Sequence, residues 1–245
     1  MTKLTSINDW EKNSYMHDHI SVLDPNSRPD RSFILKFEKF IGNKSNNNKK
    51  IIEIGCCPGR FLAFFYKNYS LKSFGIDYDK NSIAMMRDEF KKSGVQSQII
   101  NADFTKYRSK HKFDYVCSFG FVEHFDHKTL SKILKNHVNI TTKNGFIFIS
   151  MPNLTYLNKF FFKLFKPDLL AKHNTKIMNK NFFKLFAKKN NLKIIDLNYF
   201  GGFHLPGMSK LNRFKPLAYL FNHKIFDNLN SKYFSHYIGC IYKKN

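Results

Sequence analysis

Glycines and carboxylates recur where short apolar runs of the chain end, and their order could build a nucleotide site. Gly55 and Gly59 frame a tight loop after a first apolar run, and Asp77 and Asp103 close two later ones. Open α/β sheets bind ligands beyond the carboxyl ends of their strands, where an acid after the second strand can accept hydrogen bonds from a ribose. Asp103 could take an adenine amino group, with Phe104 beside the ring.

The loop limits the kind of ligand. Its middle position is Cys57, so the G-x-G-x-x-G pattern of dinucleotide sites is incomplete, and no Lys-Ser/Thr pair follows Gly59 as in a phosphate-binding loop. Glu53, just before the turn, also disfavours a phosphate. Its carboxylate favours a loop that faces a positively charged ligand.

Strands and helices alternate through most of the chain. Strands are predicted at about 50–54, 73–77, 95–100, 113–119, 145–151, 192–200 and 233–243, and helices at 31–41, 60–67, 79–92 and 128–140. This alternation predicts a doubly wound parallel α/β sheet. Gly201-Gly202 is predicted to form a turn after the sixth strand. The predicted organisation is an N-terminal helical cap (1–47) and a main domain (48–245) with a largely helical insertion at about 153–191.

Four motifs lie in order at predicted strand ends: Glu53-Ile54-Gly55-Cys56-Cys57-Pro58-Gly59, Gly75-Ile76-Asp77, Asn101-Ala102-Asp103-Phe104 and Phe121-Val122-Glu123-His124-Phe125. Over residues 48–153 they resemble class I S-adenosylmethionine-dependent methyltransferases. The resemblance implies a Rossmann-like seven-stranded sheet of order 3-2-1-4-5-7-6, with the last strand antiparallel and helices on both faces.

The resemblance also implies a role for individual residues, with S-adenosyl-L-methionine as cofactor and S-adenosyl-L-homocysteine as product. The methionine part would be bound by Glu53, Gly55 and Gly59, and the backbone of Phe119 would meet its amino group. Cys57 replaces the usual central glycine. The nucleoside would be bound by residues at the ends of the second and third strands: Asp77, Tyr78, Asp103 and Phe104.

Histidines could serve the methyl acceptor. An oxygen nucleophile needs deprotonation, and His124, just past the fourth strand, is the candidate base; the alternative is a helix cap or a packed wall residue. Similar ubiquinone-biosynthesis O-methyltransferases bind a metal beside this motif through an acid at the position of Gly120, so no metal is predicted. The remaining candidates for the substrate pocket are Tyr15, His17, His19, His173 and His204.

The amino-acid composition does not decide what kind of partner the protein binds. The 245 residues carry a formal charge of +23, which fits either an anionic partner or the Lys- and Asn-rich coding of an AT-rich genome. The Phe- and Lys-rich region 158–193 could meet a membrane surface, although ordinary helices with Phe inward and Lys outward are favoured. No transmembrane run or secretory signal is found, and the four cysteines are interpreted as reduced, so a cytoplasmic location is expected.

These features predict a methyltransferase that O-methylates a small or glycan-like metabolite, anionic ones included, for example in bacterial surface-polysaccharide tailoring. An RNA methyltransferase that uses the basic surface is the alternative, but the Asn/Asp-Pro-Pro-aromatic run of DNA amino-methyltransferases is missing after the fourth strand. Nucleic acid is therefore a disfavoured partner. A non-catalytic partner protein with this fold ranks last, because both Asp77 and Asp103 are present.

Overall fold

Seven strands form the centre of the molecule. The computed structural model describes residues 23–42, 48–203 and 229–245. Tyr15, His17, His19 and His204 lie outside the described residues. The strands are β1 (Lys50–Ile54), β2 (Lys72–Asp77), β3 (Gln98–Asn101), β4 (Phe113–Phe119), β5 (Thr141–Pro152), β6 (Leu192–Phe203) and β7 (Ser235–Lys244).

Helices connect and cover these strands. They are α1 (Arg28–Ile41), α2 (Arg60–Tyr69), α3 (Lys80–Ser93), α4 (His127–Ile140), α5 (Tyr156–Phe165), α6 (Pro167–Ala171) and α7 (Lys180–Lys189), with short 3-10 turns at Val122–His124 and Thr175–Ile177. The start of α3 is fixed by Asp79, whose carboxylate accepts the amides of Asn81 and Ser82. The described helices α5, α6 and α7 form an insertion after β5.

The strand order is β3-β2-β1-β4-β5-β7-β6, as predicted. Strands β1 to β5 pair in parallel, whereas β7 runs antiparallel between β5 and β6. The carboxyl ends of β1, β2, β3 and β4 therefore meet at one edge of the sheet. That edge is where parallel α/β sheets place their ligands.

The prediction of a turn at Gly201-Gly202 is wrong, because both glycines lie within β6. Their φ angles are +90° and +66°, and the pairing of β6 with β7 shifts register between Phe200 and Phe203. Positive φ at glycine lets a strand bulge without ending. Likewise, β5 begins at Thr141, four residues before the predicted start, because Thr141 pairs with Phe113 ahead of another register shift.

Both faces of the sheet are buried. On one face Ile51, Tyr115 and Phe148 pack with aromatic residues of α1 and α2. On the other face Ile52 and Val116, with their neighbours, pack against residues of α4 and α7. Alternate residues of each strand therefore enter different clusters, as expected for a sheet covered on both sides.

The insertion only partly follows the expectation of Phe inward and Lys outward. Helix α7 does, because Phe183 and Phe186 are buried. Helix α5 does not: Phe160 and Leu164 are each 63% exposed. Among the described residues, no helix is long and apolar enough to cross a membrane.

Candidate cofactor site and histidine cluster

The loop after β1 depends on two glycines with positive φ. Gly55 has φ +71°, and a Cβ there would lie 2.5 Å from a ring carbon of Phe121. Gly59 has φ +92°, and a Cβ there would lie 2.5 Å from the sulfur of Met86. Only glycine fits both the backbone and the space. Phe121 thus covers one end of the loop, while Gly59 allows close packing of α2 and α3.

Asp77 holds the loop from the end of the neighbouring strand. Its Oδ2 accepts the amide of Cys57 at 3.1 Å. Its Oδ1 accepts the amides of Tyr78 at 2.7 Å and Asp79 at 3.1 Å. Cys57, which replaces the middle glycine of the pattern, therefore donates its backbone amide to Asp77. Tyr78 is 42% exposed beside this carboxylate.

Glu53 is buried at the base of the loop. It is 2% exposed, and its Oε2 has no hydrogen-bond partner. Burial raises the pKa of Glu53 well above its usual range, and the neighbouring carboxylate of Asp77 raises it further. A buried carboxylate without a full set of partners is costly unless a cation or donor meets it. The site therefore favours a ligand with a cationic group at this point.

The loop after β3 carries Asp103 and lies against the end of β2, where the amide of Ala102 donates to the carbonyl of Asp77 at 2.9 Å. The Oδ1 of Asp103 accepts the amide and the hydroxyl of Thr105, at 2.8 and 2.7 Å. The side chain of Phe104 is 4% exposed and packs against His137, with ring centroids 5.3 Å apart. Phe104 therefore offers its backbone, rather than its ring, to a ligand at this edge.

Several supporting residues were not singled out from the sequence. Buried Asn136 donates through Nδ2 to the carbonyls of Phe104 and Tyr107, at 3.1 and 3.0 Å, and so fixes the loop that carries Asp103. Arg60, the first residue of α2, pairs with Asp30 of α1 at 2.5 Å. The sequence signal for Arg60 was an Arg directly after the glycine loop, in a chain whose basic residues are mostly Lys.

Phe119 ends β4 as predicted, and its ring packs against α1 and α2. Its centroid lies 4.5 Å from that of Phe61 and 5.5 Å from that of Phe33. The next residue, Gly120, donates its amide to Ser150 with φ +67°. The chain therefore turns sharply at the end of β4 and enters the segment that carries Glu123 and His124.

Two histidines that the sequence placed in different regions meet in the structure. The rings of His124 and His173 are 4.5 Å apart, and Glu123 completes a group whose ligating atoms all lie within 4.8 Å of one another. The amide of Asn174 donates to the carbonyl of Glu123 at 2.7 Å, which ties the insertion to the end of β4.

The three side chains of this cluster are buried, and burial shifts their pKa values. Burial lowers the pKa of His124 to about 3, with the neighbouring His173 lowering it further. Burial also lowers the pKa of His173 and raises that of Glu123 to about 8. His124 is therefore neutral at neutral pH, but an imidazole with such a low pKa is a weak proton acceptor on its own.

The fold defined above is that of S-adenosylmethionine-dependent methyltransferases. An S-adenosylmethionine-dependent methyltransferase from Clostridium acetobutylicum ATCC 824 is similar with a TM-score of 0.59, 11% identity and 97% coverage of both chains. The magnesium protoporphyrin IX methyltransferase of Synechocystis PCC 6803, solved with bound S-adenosylhomocysteine, has a TM-score of 0.60 and 11% identity, with 90% of this chain and 83% of that chain covered. A Pyrococcus horikoshii OT3 protein has a TM-score of 0.64 and 15% identity, with 98% and 100% covered.

The sequence match is more local. Residues 51–145 match the family model of a methyltransferase domain. The ribosomal RNA small subunit methyltransferase A of Mesomycoplasma hyopneumoniae (strain 232) is 34% identical over 101 residues, 40% of this chain. The match spans 37% of that relative's length.

Proposed function

We propose that this protein is an S-adenosylmethionine-dependent methyltransferase. The observation that carries the proposal is the buried carboxylate of Glu53, with one oxygen unpartnered, beneath the glycine loop. A dinucleotide would bring a diphosphate to this turn, and a buried carboxylate repels it. S-adenosylmethionine instead brings an ammonium and a sulfonium, both positively charged.

The neighbouring acids support the same ligand. Asp77 retains acceptor capacity on Oδ2 for a ribose hydroxyl, because that oxygen accepts a single backbone amide among the described residues. Asp103, on the next strand, has its Oδ2 near the exposed Lys106 at 3.9 Å and can accept an adenine amino group. The match of residues 51–145 to a methyltransferase domain supports this assignment.

The proposed reaction is displacement at the sulfonium methyl group. The acceptor oxygen forms the new C–O bond, the S–C bond breaks, and its electron pair stays on the sulfur of S-adenosylhomocysteine. The hydroxyl proton leaves to water. The cofactor supplies the reactivity, so the protein contributes by orienting the acceptor. We assign this positioning to the cluster of Glu123, His124 and His173, which follows directly from the end of β4.

We further propose an oxygen atom of a small or glycan-like metabolite as the acceptor, in a bacterial cytoplasm. The polar cluster near the loop supports this choice because it can bind hydroxyl groups. The second candidate is RNA, which the net charge of +23 and the local likeness to a ribosomal RNA methyltransferase favour.

A pair of ligands tests the cofactor assignment. S-adenosylhomocysteine contains the amino-acid part, whereas 5′-methylthioadenosine lacks it. By calorimetry, Glu53→Gln should bind S-adenosylhomocysteine about 10-fold more weakly or worse, because a charge-assisted contact is lost, and should bind 5′-methylthioadenosine like the wild type. Glu38→Gln, an exposed glutamate of α1, is the matched control. Equal loss for both ligands, or no binding of S-adenosylhomocysteine by the wild type, contradicts the proposal.

RNA binding as a function of salt separates the two acceptors. A groove that contacts several phosphates loses affinity steeply as salt rises, because counterions are released. RNA binding whose affinity falls steeply as salt rises, together with methyl transfer to RNA, would support the second candidate. Absence of binding at low salt would leave the small-metabolite acceptor.

A further inference from the structure

We propose that Glu123, His124 and His173 bind one divalent transition-metal cation. Their ligating atoms lie within 4.8 Å of one another, and Nε2 of His124 is 4.0 Å from Oε1 of Glu123. Ligands at about 2.0–2.2 Å from a tetrahedral cation lie about 3.4 Å apart. Small side-chain rotations therefore bring the three ligands around a single ion.

The carboxylate of Glu123 lacks the partners that its burial demands. The residue is 0% exposed, and neither Oε1 nor Oε2 has a hydrogen-bond partner. A buried carboxylate left in this condition is costly. The nearest complementary groups are two imidazoles, which are ligands of cations rather than strong partners of a carboxylate. A cation between the three groups gives the carboxylate of Glu123 the partner that it lacks.

A backbone carbonyl lies beside Nδ1 of each histidine, and for His173 the contact is short enough to orient the ring as a metal ligand. Nδ1 of His173 lies 2.6 Å from the carbonyl of Leu169, and Nδ1 of His124 lies 3.3 Å from that of Lys172. A carbonyl can only accept, so Nδ1 of His173 carries the hydrogen and its Nε2 keeps the lone pair. Histidines that bind metals through one nitrogen usually donate the other N–H to such a carbonyl or carboxylate.

The three ligands are buried, but the space beside Gly120 leaves one side of the cluster unfilled by side chains. A Cβ built on Gly120 would meet a single atom within 4 Å, Oε1 of Glu123 at 3.6 Å. Three protein ligands with an open position are the arrangement of a catalytic rather than a structural metal site. The open side follows the end of β4, and Phe121 connects it to the glycine loop. An oxygen of water or of the methyl acceptor can therefore complete the coordination.

The sequence prediction of no metal considered the segment after β4 alone, where Gly120 occupies the position of an acid in metal-binding enzymes. The structure adds His173 from the insertion. Two imidazoles and one carboxylate suit Zn²⁺, Mn²⁺ or Fe²⁺ better than Mg²⁺ or Ca²⁺, which prefer oxygen ligands. The proposal is independent of the cofactor assignment, because none of the three ligands belongs to the glycine-loop site.

Titration with Mn²⁺ tests the cation site. The chelator-treated full chain should bind one Mn²⁺ per molecule, seen by calorimetry and by loss of the free-ion electron paramagnetic resonance signal. Glu123→Gln and His173→Ala should each weaken binding by at least about 10-fold, since each removes a ligand. His111→Ala, an exposed histidine outside the cluster, and Asp77→Asn, which alters the cofactor site, should bind Mn²⁺ like the wild type.

Thermal unfolding distinguishes a variant that has lost a metal ligand from one that has not folded. Mn²⁺ should raise the melting temperature of the wild type and of His111→Ala, but not that of Glu123→Gln, whose own melting temperature without metal should equal or exceed that of the wild type. The proposal is overturned if the wild type binds no Mn²⁺ at millimolar concentration. It is also overturned if folded Glu123→Gln and His173→Ala bind as tightly as His111→Ala.

We further infer, from a separate observation, that the outward face of α5 docks on an anionic lipid bilayer. Leu157, Phe160 and Leu164 follow at i, i+3 and i+7, so they share one face, and they are 46%, 63% and 63% exposed. The buried residue of this helix is Asn158. The helix therefore presents apolar side chains to the outside, the opposite of an ordinary amphipathic surface helix.

The charges around this face indicate the sign of the partner. Lys159, Lys163 and Lys166 are exposed along the same helix or directly after it, and Asp168 is the one acid of residues 156–172. Lys232 lies 5.3 Å from the ring of Tyr156, at the start of the helix. Lysines beside an exposed Phe and Leu face are typical of helices that lie in the interface of anionic membranes.

Vesicle flotation tests this surface. The wild type should float with phosphatidylglycerol–phosphatidylcholine vesicles but not with phosphatidylcholine alone, and the double variant F160S/L164Q should stay in solution. Leu185→Gln, a 67% exposed leucine on α7, is the matched control and should float like the wild type. Equal flotation of F160S/L164Q overturns the proposal. So does a wild-type dimer that F160S/L164Q abolishes, without vesicle binding, since a second copy would then cover this face.

Discussion

Replacing the carboxylate of Asp77 should weaken every ligand that carries the adenosine part of the cofactor. A carboxylate has about four acceptor positions, and the amides of Cys57, Tyr78 and Asp79 use three of them. The remaining position is on Oδ2, and Asp77 lies at the carboxyl end of β2. In Asp77→Asn the side-chain oxygen can keep the amides of Tyr78 and Asp79, while the NH₂ group replaces Oδ2.

The magnitude follows from that geometry. One charge-assisted hydrogen bond to the ribose is worth about 1.5–3 kcal/mol, which is about 10- to 150-fold in affinity. The new NH₂ group also faces the amide of Cys57, so two donors oppose each other and the loop is displaced. S-adenosylhomocysteine and 5′-methylthioadenosine should therefore both bind more weakly, unlike the expected behaviour of Glu53→Gln.

Calorimetric titration of both ligands measures this effect, with Asp88→Asn, an exposed acid of α3, as the matched control. Circular dichroism and the melting temperature establish that the variant is folded. Binding of both ligands within about threefold of the wild type, by a folded Asp77→Asn, would refute the role of Oδ2 as a ribose acceptor.

Three further predictions concern the scaffold of the site. Gly59→Ala should lower the free energy of unfolding by about 2–4 kcal/mol through positive-φ strain and overpacking, clearly more than Gly94→Ala, where a Cβ meets nothing within 4 Å; equal losses in urea titrations would contradict this. Asn136→Ala should cost about 2–4 kcal/mol, because two buried carbonyls lose their donor, and should weaken S-adenosylhomocysteine binding; unchanged values in both assays would argue against a positioning role. Burial lowers the pKa of His137 to about 4, so as pH falls below about 6.5 the unfolded chain takes up a proton that the folded chain does not. The free energy of unfolding should therefore decline by up to about 3 kcal/mol toward pH 4. His137→Gln should make this dependence on pH shallower, and an unchanged dependence would refute the assignment.

The local patterns predicted the frame of the site because they depend on short-range physics. Apolar runs that end in Asp77 or in the glycine loop are strands whichever neighbours they find, and the glycines reveal backbone angles that other residues avoid. Prediction failed where packing decided. Gly201 and Gly202 have the composition of a turn, but pairing with β7 continues the strand through them.

Local sequence patterns also could not predict which face of a helix is buried or which side chains come into contact. Helices α5 and α7 are both rich in Phe and Lys, yet α5 presents apolar residues outward, whereas α7 buries Phe183 and Phe186. Phe104 follows Asp103, the acid proposed to bind adenine, but its ring enters the core against His137. Composition sets what a helix can bury, whereas the neighbouring elements set what it does bury.

The sequence by itself determined the alternation of strands and helices, the glycine loop and the acids near the ends of β1, β2 and β3, because each is written in contiguous residues, whereas the strand order was implied by the family resemblance. The tertiary structure alone decided that His173 joins Glu123 and His124 and that Asn136 fixes the loop of Asp103. Those contacts join segments far apart in the chain. The first exists because the insertion after β5 bonds to the segment after β4, and the second because α4 packs against the loop after β3.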